Sequence, residues 1–571
     1  MNKRFLLLAV IYFFASCNPS KKNNQSSIDG YHYSVQKSSL ATNGAVVSAH
    51  SLASKVGVQI MKQGGNAIDA AIAAQLALAV VYPEAGNLGG GGFFVAHLAN
   101  GKDIAIDFRE MAPEAASRDM YIDSTGKART DLSQNGHLSA GVPGTVAGLF
   151  AMMQYAKLPF EKLIQPAIDL AEKGFAIEKR EAYHLNDIRD ELIRYNTLTP
   201  VFVGSERWHD GDTLIQTDLA NTLKRIKEKG ASGFYEGETA RLIVQEMKRG
   251  NGIITYDDLR NYKALTREPH RFSYKGYEII GMPMPSSGGL LLNQMMKMVE
   301  NRDIGKMGFH SPEATQLMIE VERRAFADRA EYMGDADFYK VPVKALSSDK
   351  YLADRMKDYL PGKAGTSTAI RPGDAVPYES TETTHLSVLD KEGNAVSVTT
   401  TLNNSYGSRT VVGGAGFFLN DEMDDFSVKP GVANMYGAVG GDANAIHPGK
   451  RMLSSMAPTI VLKDNKPVIV AGTPGGTTIP TSVFQTLINI IEFGMTTQEA
   501  VDQPKFHHQW QPDQVELETG FPPSVAEQLQ KMGYTIKDRS EIGRTEVIRV
   551  LPNGKLEGVA DKRGNDDAEG W

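Results

Sequence analysis

The residue with the most chemical potential in this chain is Thr383. It stands in Thr381-Glu382-Thr383-Thr384-His385-Leu386-Ser387-Val388-Leu389-Asp390, where a polar, Pro-bearing stretch (371–382) gives way to an alternating strand. If the backbone breaks between Glu382 and Thr383, one residue gains both a hydroxyl nucleophile and a free α-amine. Such an amine titrates near ~8, so close to neutral pH much of it can act as a base. Threonine with its own N-terminal amine is a recognised nucleophile–base pair. Without the break, a threonine opening a buried strand is merely structural.

The surroundings of Thr383 hold further groups able to do chemistry. The strand runs through a Glu-Gly-Asn turn into AVSVTTTLNNSYGS (395–408), followed by LNDEMDDFSVKPG (419–431), GGDANAIHPGKRMLSSMAPTIV (440–461) and GTPGGTTIPTSV (472–483). Upstream lie NLGGGGFF (87–94) and DFREMAP (107–113). This set, in this order, resembles the gamma-glutamyltransferases, also called gamma-glutamyltranspeptidases or glutathione hydrolases, from about residue 40 to the C-terminus.

The resemblance implies an α+β, N-terminal-nucleophile hydrolase fold. Two central antiparallel sheets lie between helical layers (αββα), built jointly from two autoprocessed chains, 40–382 and 383–571. The two chains form an intertwined heterodimer. The Thr383 hydroxyl attacks the Glu382 carbonyl, the acyl group shifts from nitrogen to oxygen, and water hydrolyses the ester. Family members often carry Gln at the position of Glu382; the attacked atom is backbone, so the change bears on rate more than on outcome.

A γ-glutamyl group ends in an α-carboxylate and an α-ammonium. The carboxylate suits an Arg fork and hydroxyl donors, and the ammonium suits carboxylates and amide oxygens. By resemblance Arg109 takes the carboxylate, assisted by Ser454 and Ser455, while Asn403, Glu422 and Asp425 hold the amine. Read alone, Asp424-Asp425 could be a solvated acidic turn and Ser454-Ser455 an ordinary loop. Gly475 and Gly476 match the family's oxyanion glycines, because backbone N–H groups must come within roughly 3 Å of a developing oxyanion. A tight turn is the other reading of Pro-Gly-Gly. Thr401 matches a second threonine bonded to the nucleophile, though a TTT run also suits a strand. Residues 430–437 match a lid loop, with Tyr436 over the bound glutamyl group and touching Asn403.

Other chemistries find less support. NLGGGGFF precedes a strand and lacks the G-x-x-x-x-G-K-S/T pattern, so it is not a phosphate loop. His507 and His508 are adjacent, point apart on a strand, and lack zinc spacing; no H-E-x-x-H is present. Ser34-x-x-Lys37 and Ser347-x-x-Lys350 have no Lys-Thr-Gly partner, and no G-x-S-x-G elbow occurs. No cofactor and no metal is expected.

The 571 residues exceed one ordinary core, and 41% are hydrophobic. Net charge is −7, without a basic patch interleaved with aromatics, which argues against nucleic-acid binding. Lys3, Arg4 and the apolar run 5–15 read as a signal peptide (1–16). Phe14-Ala15-Ser16-Cys17 resembles a bacterial lipobox. Cys17 is the only cysteine, so it has no partner for an internal disulfide. Lipidation of Cys17, a flexible tether over 17–39 and a membrane-anchored, periplasmic protein are the expectation. A spare thiol in a conventional leader is the alternative.

Periodicity predicts a strand at 44–50, helices at 51–65 and 66–83, and a hairpin at 92–110 turning at Asn-Gly. Segments between 150 and 330 read mostly as helices, such as 237–249 and 312–333. Residues 340–382 read as loop, and hairpins follow at 385–403, 457–474 and 545–561. The functional expectation is cleavage of glutathione and related γ-glutamyl amides through a γ-glutamyl-Thr383 ester. The glutamyl group then passes to water or to amino-acid and peptide acceptors. The alternatives are a related acylase, a poly-γ-glutamate hydrolase, or a non-catalytic peptide-binding lipoprotein.

Overall fold

The computed structural model describes residues 28–371, 383–429 and 441–571. The expectations on Cys17, Glu382, Tyr436 and the loop 430–439 lie outside the described residues.

Fourteen strands make two seven-stranded sheets. They are β1 (Ser38–Ala41), β2 (Gly44–Ser48), β3 (Gly91–His97), β4 (Asp103–Asp107), β5 (Leu265–Arg267), β6 (His270–Tyr274) and β7 (Tyr277–Gly281). After Thr383 come β8 (Thr384–Asp390), β9 (Ala395–Thr401), β10 (Thr459–Lys463), β11 (Lys466–Gly472), β12 (Glu546–Val550), β13 (Leu556–Val559) and β14 (Asp567–Gly570). One sheet runs β1-β13-β12-β11-β10-β7-β6 and the other β14-β2-β8-β9-β3-β4-β5. Every pairing within them is antiparallel.

Each sheet mixes strands from before and after Thr383. Strands β8 and β9 pair with β2 and β3 on either side, so neither piece owns a complete core. The period-two alternation of a strand divides the side chains between two interiors. Val46, Phe94, Leu386 and Val388 join helices α1 (Ser51–Lys62), α2 (Ala67–Val81), α3 (Phe160–Lys173) and α4 (Thr217–Lys229) in one core. Val47, Phe93, Val95 and Leu389 join the other sheet and helices α5 (Gly288–Val299), α6 (Pro312–Tyr332) and α7 (Thr478–Ile491) in the second. This is the αββα sandwich expected from the sequence.

Helix α2 shows why the central layers are dry. All fifteen of its residues are buried, and Asn66 with Asp69 forms a reciprocal capping box at its start. The Asp390 carboxylate at the end of β8 accepts a further bond from the Ala67 N–H (2.9 Å). The helix is thereby tied to the strand that follows Thr383. Strands β5 to β7 interrupt the mainly helical region expected between 150 and 330. Their alternation is muted because each is short and carries a charge (Arg267, Arg271 or Glu278), and β5 and β6 are sheet edges.

Candidate active site

Strand register places the two threonines. Thr384 faces Thr400 and His385 faces Thr399 across β8 and β9; one step further, Thr383 falls opposite Thr401. Both are buried. The Thr401 hydroxyl accepts a hydrogen bond from the Asn403 N–H (2.7 Å), and Asn403 adopts the left-handed backbone (φ 76°) that turns the chain out of the sheet. The Asn403 amide donates to the Asp421 carbonyl (3.1 Å), tying the end of β9 to the acidic turn at Glu422–Asp425.

That turn meets Arg109. The guanidinium lies 2.6 Å from Glu422 Oε2 and forms a short ion pair with Asp425. It also donates toward the carbonyls of Met452 and Leu453 (both 3.3 Å), immediately before Ser454-Ser455. All of these side chains are buried, which removes the solvated-turn reading of Asp424-Asp425. The two aspartates diverge: Asp424 accepts from the Ser133 hydroxyl and Asp425 faces Arg109. Burial pushes the Glu422 carboxyl well above its ordinary range, opposed by Arg109 and reinforced by neighbouring carboxyls.

The sequence reasoning missed the groups that hold this arrangement. Glu110, within the DFREMAP segment, is fully buried 3.5 Å from Arg109. Burial raises its carboxyl to about 8, against the pull of Arg109. Asp107 accepts from the Arg109 N–H (3.0 Å) and bridges Arg451 (2.6 Å) and Arg267 (2.7 Å). Asn444 donates to the Asp425 carbonyl (2.6 Å) and accepts from Leu453 N–H (3.0 Å), joining the acidic turn to the serine loop. Asn420 bonds Gly89, Gly141 and Glu422 at once. Asparagines bracketing acidic runs were the available signal.

Ser454 and Ser455 are buried beside this cluster. The Ser454 backbone is fixed to Pro285 and Ser287 (2.9 and 2.7 Å), and its hydroxyl accepts from Met456 N–H (3.2 Å). Gly475 and Gly476 follow β11 and lead into α7, whose first turn bonds their carbonyls. Both have positive φ, 128° and 55°. The chain enters this turn beside β8: the His385 ring packs on Gly472, where a Cβ would lie 2.2 Å from the ring. The amino end of α7 adds positive potential at this turn. His385 itself stays neutral: burial lowers it to about 3, and it bonds Thr399 and Ser387 (2.9 and 3.1 Å) between the sheets.

The NLGGGGFF glycines serve close packing. A Cβ on Gly90 would sit 2.0 Å from the Thr401 carbonyl, so this loop presses directly against the second threonine. His507 and His508 diverge as expected, toward Thr481 and Asp513. Lys37 donates to three carbonyls, those of Asp561, Gly564 and Asp566, and Lys350 pairs with Asp354 at the surface. Among the described residues no group of three or more His, Cys, Asp or Glu could hold a metal, and no helix is long and apolar enough to cross a membrane.

The sandwich and this constellation define an N-terminal-nucleophile hydrolase. Comparison with known proteins narrows the class. A family model described as Gamma-glutamyltranspeptidase matches residues 53–571. The glutathione hydrolase proenzyme of Escherichia coli (strain K12) is 47% identical over 530 residues, covering 92% of this chain and 91% of its own. The structure of cephalosporin acylase from Bacillus halodurans superposes with a TM-score of 0.83 at 27% identity, covering 95% of this chain and 98% of that one. The gamma-glutamyltranspeptidase of Helicobacter pylori matches at a TM-score of 0.56 and 44% identity, over 60% of this chain and 97% of that one. The chain belongs to the gamma-glutamyltranspeptidase family.

Proposed function

We propose that this enzyme splits itself before Thr383 and then cleaves the γ-glutamyl bond of glutathione and related γ-glutamyl amides. The observation that carries the reading is the Arg109–Glu422–Asp425 cluster on the Thr401–Asn403 turn. One guanidinium and two carboxylates are the complement of an α-amino acid end. On binding, the substrate carboxylate would take the Arg109 fork and its ammonium would take Asp425 and Glu422. Each buried charge exchanges one partner for another, so none is left uncompensated.

Maturation is a balanced acyl shift. The Thr383 hydroxyl oxygen bonds to the Glu382 carbonyl carbon, the C–N bond breaks, and the proton passes to the released nitrogen. Water then hydrolyses the ester, leaving a Glu382 carboxylate and a free Thr383 hydroxyl. In turnover that hydroxyl attacks the γ-carbonyl while the Thr383 amine takes its proton. The Gly475 and Gly476 N–H groups would receive the oxyanion. The amine leaving group departs protonated, and water or an amino acid or peptide resolves the γ-glutamyl ester.

The test is Thr383→Ala. It should remain one uncut polypeptide on a denaturing gel and release no glutamate from glutathione, while the parent shows two chains and turnover. An alanine variant that still splits at this bond would sink the assignment.

The fold likeness to a cephalosporin acylase favours a second reading, an acylase for β-lactam side chains. A glutaryl amide has a carboxylate but no α-ammonium. The proposed pocket should strongly prefer the γ-glutamyl amide over its glutaryl analogue; equal rates would support the acylase reading.

Two further assignments rest on sequence. Cys17 as a lipid-bearing residue would make this a periplasmic, membrane-anchored lipoprotein, supported by the Phe-Ala-Ser-Cys leader end. Cys17→Ser should then leave the detergent phase on partitioning. The stretch 430–439, with Tyr436, matches the family's lid loop in sequence, and that match would favour small donors over poly-γ-glutamate. Deleting the loop should raise cleavage of the polymer relative to glutathione.

A further inference from the structure

The piece upstream of Thr383 leaves the described fold in an unusually well-anchored stretch. Ala364 N–H donates to the Met532 carbonyl (2.8 Å). Gly365 N–H donates to Glu320 (3.0 Å), which also accepts from the Tyr534 hydroxyl (2.6 Å). Residues Thr366–Ile370 form a turn closed by Ile370 N–H on the Thr366 carbonyl (2.8 Å). The turn is gripped from the downstream piece. The Trp510 indole N–H donates to the carbonyls of Ser367 (3.0 Å) and Ile370 (2.8 Å). Asp513 accepts from Ser367 N–H (2.7 Å) and pairs with Arg323, which also donates to the Ser367 hydroxyl (2.7 Å). The Ser367 hydroxyl returns a bond to the Trp510 carbonyl. Arg323, Ser367 and Trp510 are buried. Trp510 holds this pose with a left-handed backbone, φ 67°, a conformation bulky side chains rarely adopt.

These contacts are not needed to hold the two pieces together, because both seven-stranded sheets already interleave them. What they add is a fixed point just upstream of the scissile bond. Ile370 is bound to Trp510 on one side, and Thr384 is bound into the sheet on the other. Eleven residues, 372–382, separate these two fixed points in the sequence. Fixing both ends of a short segment removes conformations, and attack on a peptide carbonyl needs the reacting atoms held roughly 3–3.5 Å apart.

We propose that Trp510, Asp513 and Ser367 form a clamp that positions the Glu382–Thr383 peptide for autocleavage and plays no part in turnover. The inference rests on the cleavage reading above. These are positioning residues, acting through the chain they hold.

The experiment follows conversion of freshly purified full-length precursor into two chains on denaturing gels. It compares the parent with Trp510→Phe, which keeps an aromatic ring but loses the donor, Ser367→Ala and Asp513→Asn. Glutathione kcat and KM of the matured fraction and the melting temperature are read alongside. Conversion should slow about tenfold in each, in line with losing one or two buried hydrogen bonds. The matured fraction should keep its kcat and KM, and Ser367→Thr should restore the rate. Parental conversion rates in all three variants overturn the clamp, as does a parallel fall of melting temperature and mature kcat, which would mark a purely structural role. A parent chain that never splits before Thr383 defeats the cleavage reading itself.

Discussion

Two buried charge clusters in this molecule invite comparison. Around Arg563, the guanidinium pairs with Glu518 and Asp561 and donates to the carbonyls of Val501 and Gln503. Lys505 adds a second cation beside Asp561 (3.8 Å) and donates to Val501 (3.0 Å). Two cations meet two carboxylates, and the Asp561 carboxyl is held below its ordinary value, its burial outweighed by Lys505 and Arg563. Around Arg109, one cation meets three carboxyls, and Glu110 and Glu422 are both pushed upward. The first cluster is electrostatically closed. The second has a surplus of acid, and a substrate ammonium is the charge that would complete it. Surplus alone does not define a site. Glu546 and Asp566 are also raised by burial, each against the pull of Arg544, and Arg544 lies 3.7 Å from Asp566 and donates to Tyr82 (2.8 Å). What distinguishes Arg109 is a surplus placed on the Thr401 turn.

The sharpest way to break the comparison is a pair of substitutions with opposite readouts. Arg563→Met strands the buried Glu518 carboxylate and leaves Asp561 to Lys505 alone; it should cost about 3–5 kcal/mol of stability, with kcat/KM of the folded enzyme unchanged. Arg109→Lys keeps a charge but loses the planar fork. It should cost about 2–5 kcal/mol in kcat/KM toward γ-glutamyl amides, with little change in melting temperature. Thermal melts and steady-state kinetics on both variants decide it; matching effects on stability and activity would erase the distinction.

A smaller effect sharpens it. Asp425→Asn should weaken turnover of the γ-glutamyl amide by about ten- to a hundredfold, or about 1.4–2.8 kcal/mol, and leave a glutaryl amide nearly untouched. Measuring both donors on one preparation separates lost ammonium recognition from general damage. Equal losses on the two donors would mean that Asp425 supports Arg109 and does not meet the substrate amine.

Much of this was legible in the sequence because local chemistry and periodicity agree there. Asn66 announces α2, Asn-Gly announces the turn between β3 and β4, and the β-branched runs after Thr383 read as hairpins. Motif residues such as Arg109, Glu422 and Asp425 could be named, and the fold brings them together. The order of strands in each sheet could not be read, since β1 and β13 or β2 and β14 meet across more than 500 residues. The short strands β5 to β7, of which β5 and β6 are edges, each carry a charge that hides their alternation. Glu110 was overlooked because a carboxylate next to an arginine in sequence reads as a solvated pair. Only burial reveals that it faces the same guanidinium as Glu422. The Trp510–Ser367 contact was invisible for a different reason: it joins backbone carbonyls to an indole 143 residues away, and no residue pattern encodes that.

The smallest predicted effect uses pH to read the surplus directly. Burial lifts the Glu110 carboxyl from its ordinary 4.5 to about 8, so over that interval the folded protein holds a proton that the unfolded chain releases. The stability this group contributes is full below pH 4.5 and is lost as pH rises through about 8. Glu422 acts in the same direction. Asp561, in the closed cluster, has the opposite sign: its lowered carboxyl contributes above the ordinary carboxylate range and loses that contribution on acidification. Asp567, raised to about 7 by burial, adds its own slope, but it does so equally in any variant of the pocket. Glu110→Gln keeps the shape of the side chain and removes its titration. Melting temperature measured from pH 5 to 8.5 without ligand should therefore fall less steeply in the variant than in the parent, by a few degrees over the range. Parallel curves would show that Glu110 is ionised throughout, and that the Arg109 cluster meets its surplus of acid by some means other than bound protons.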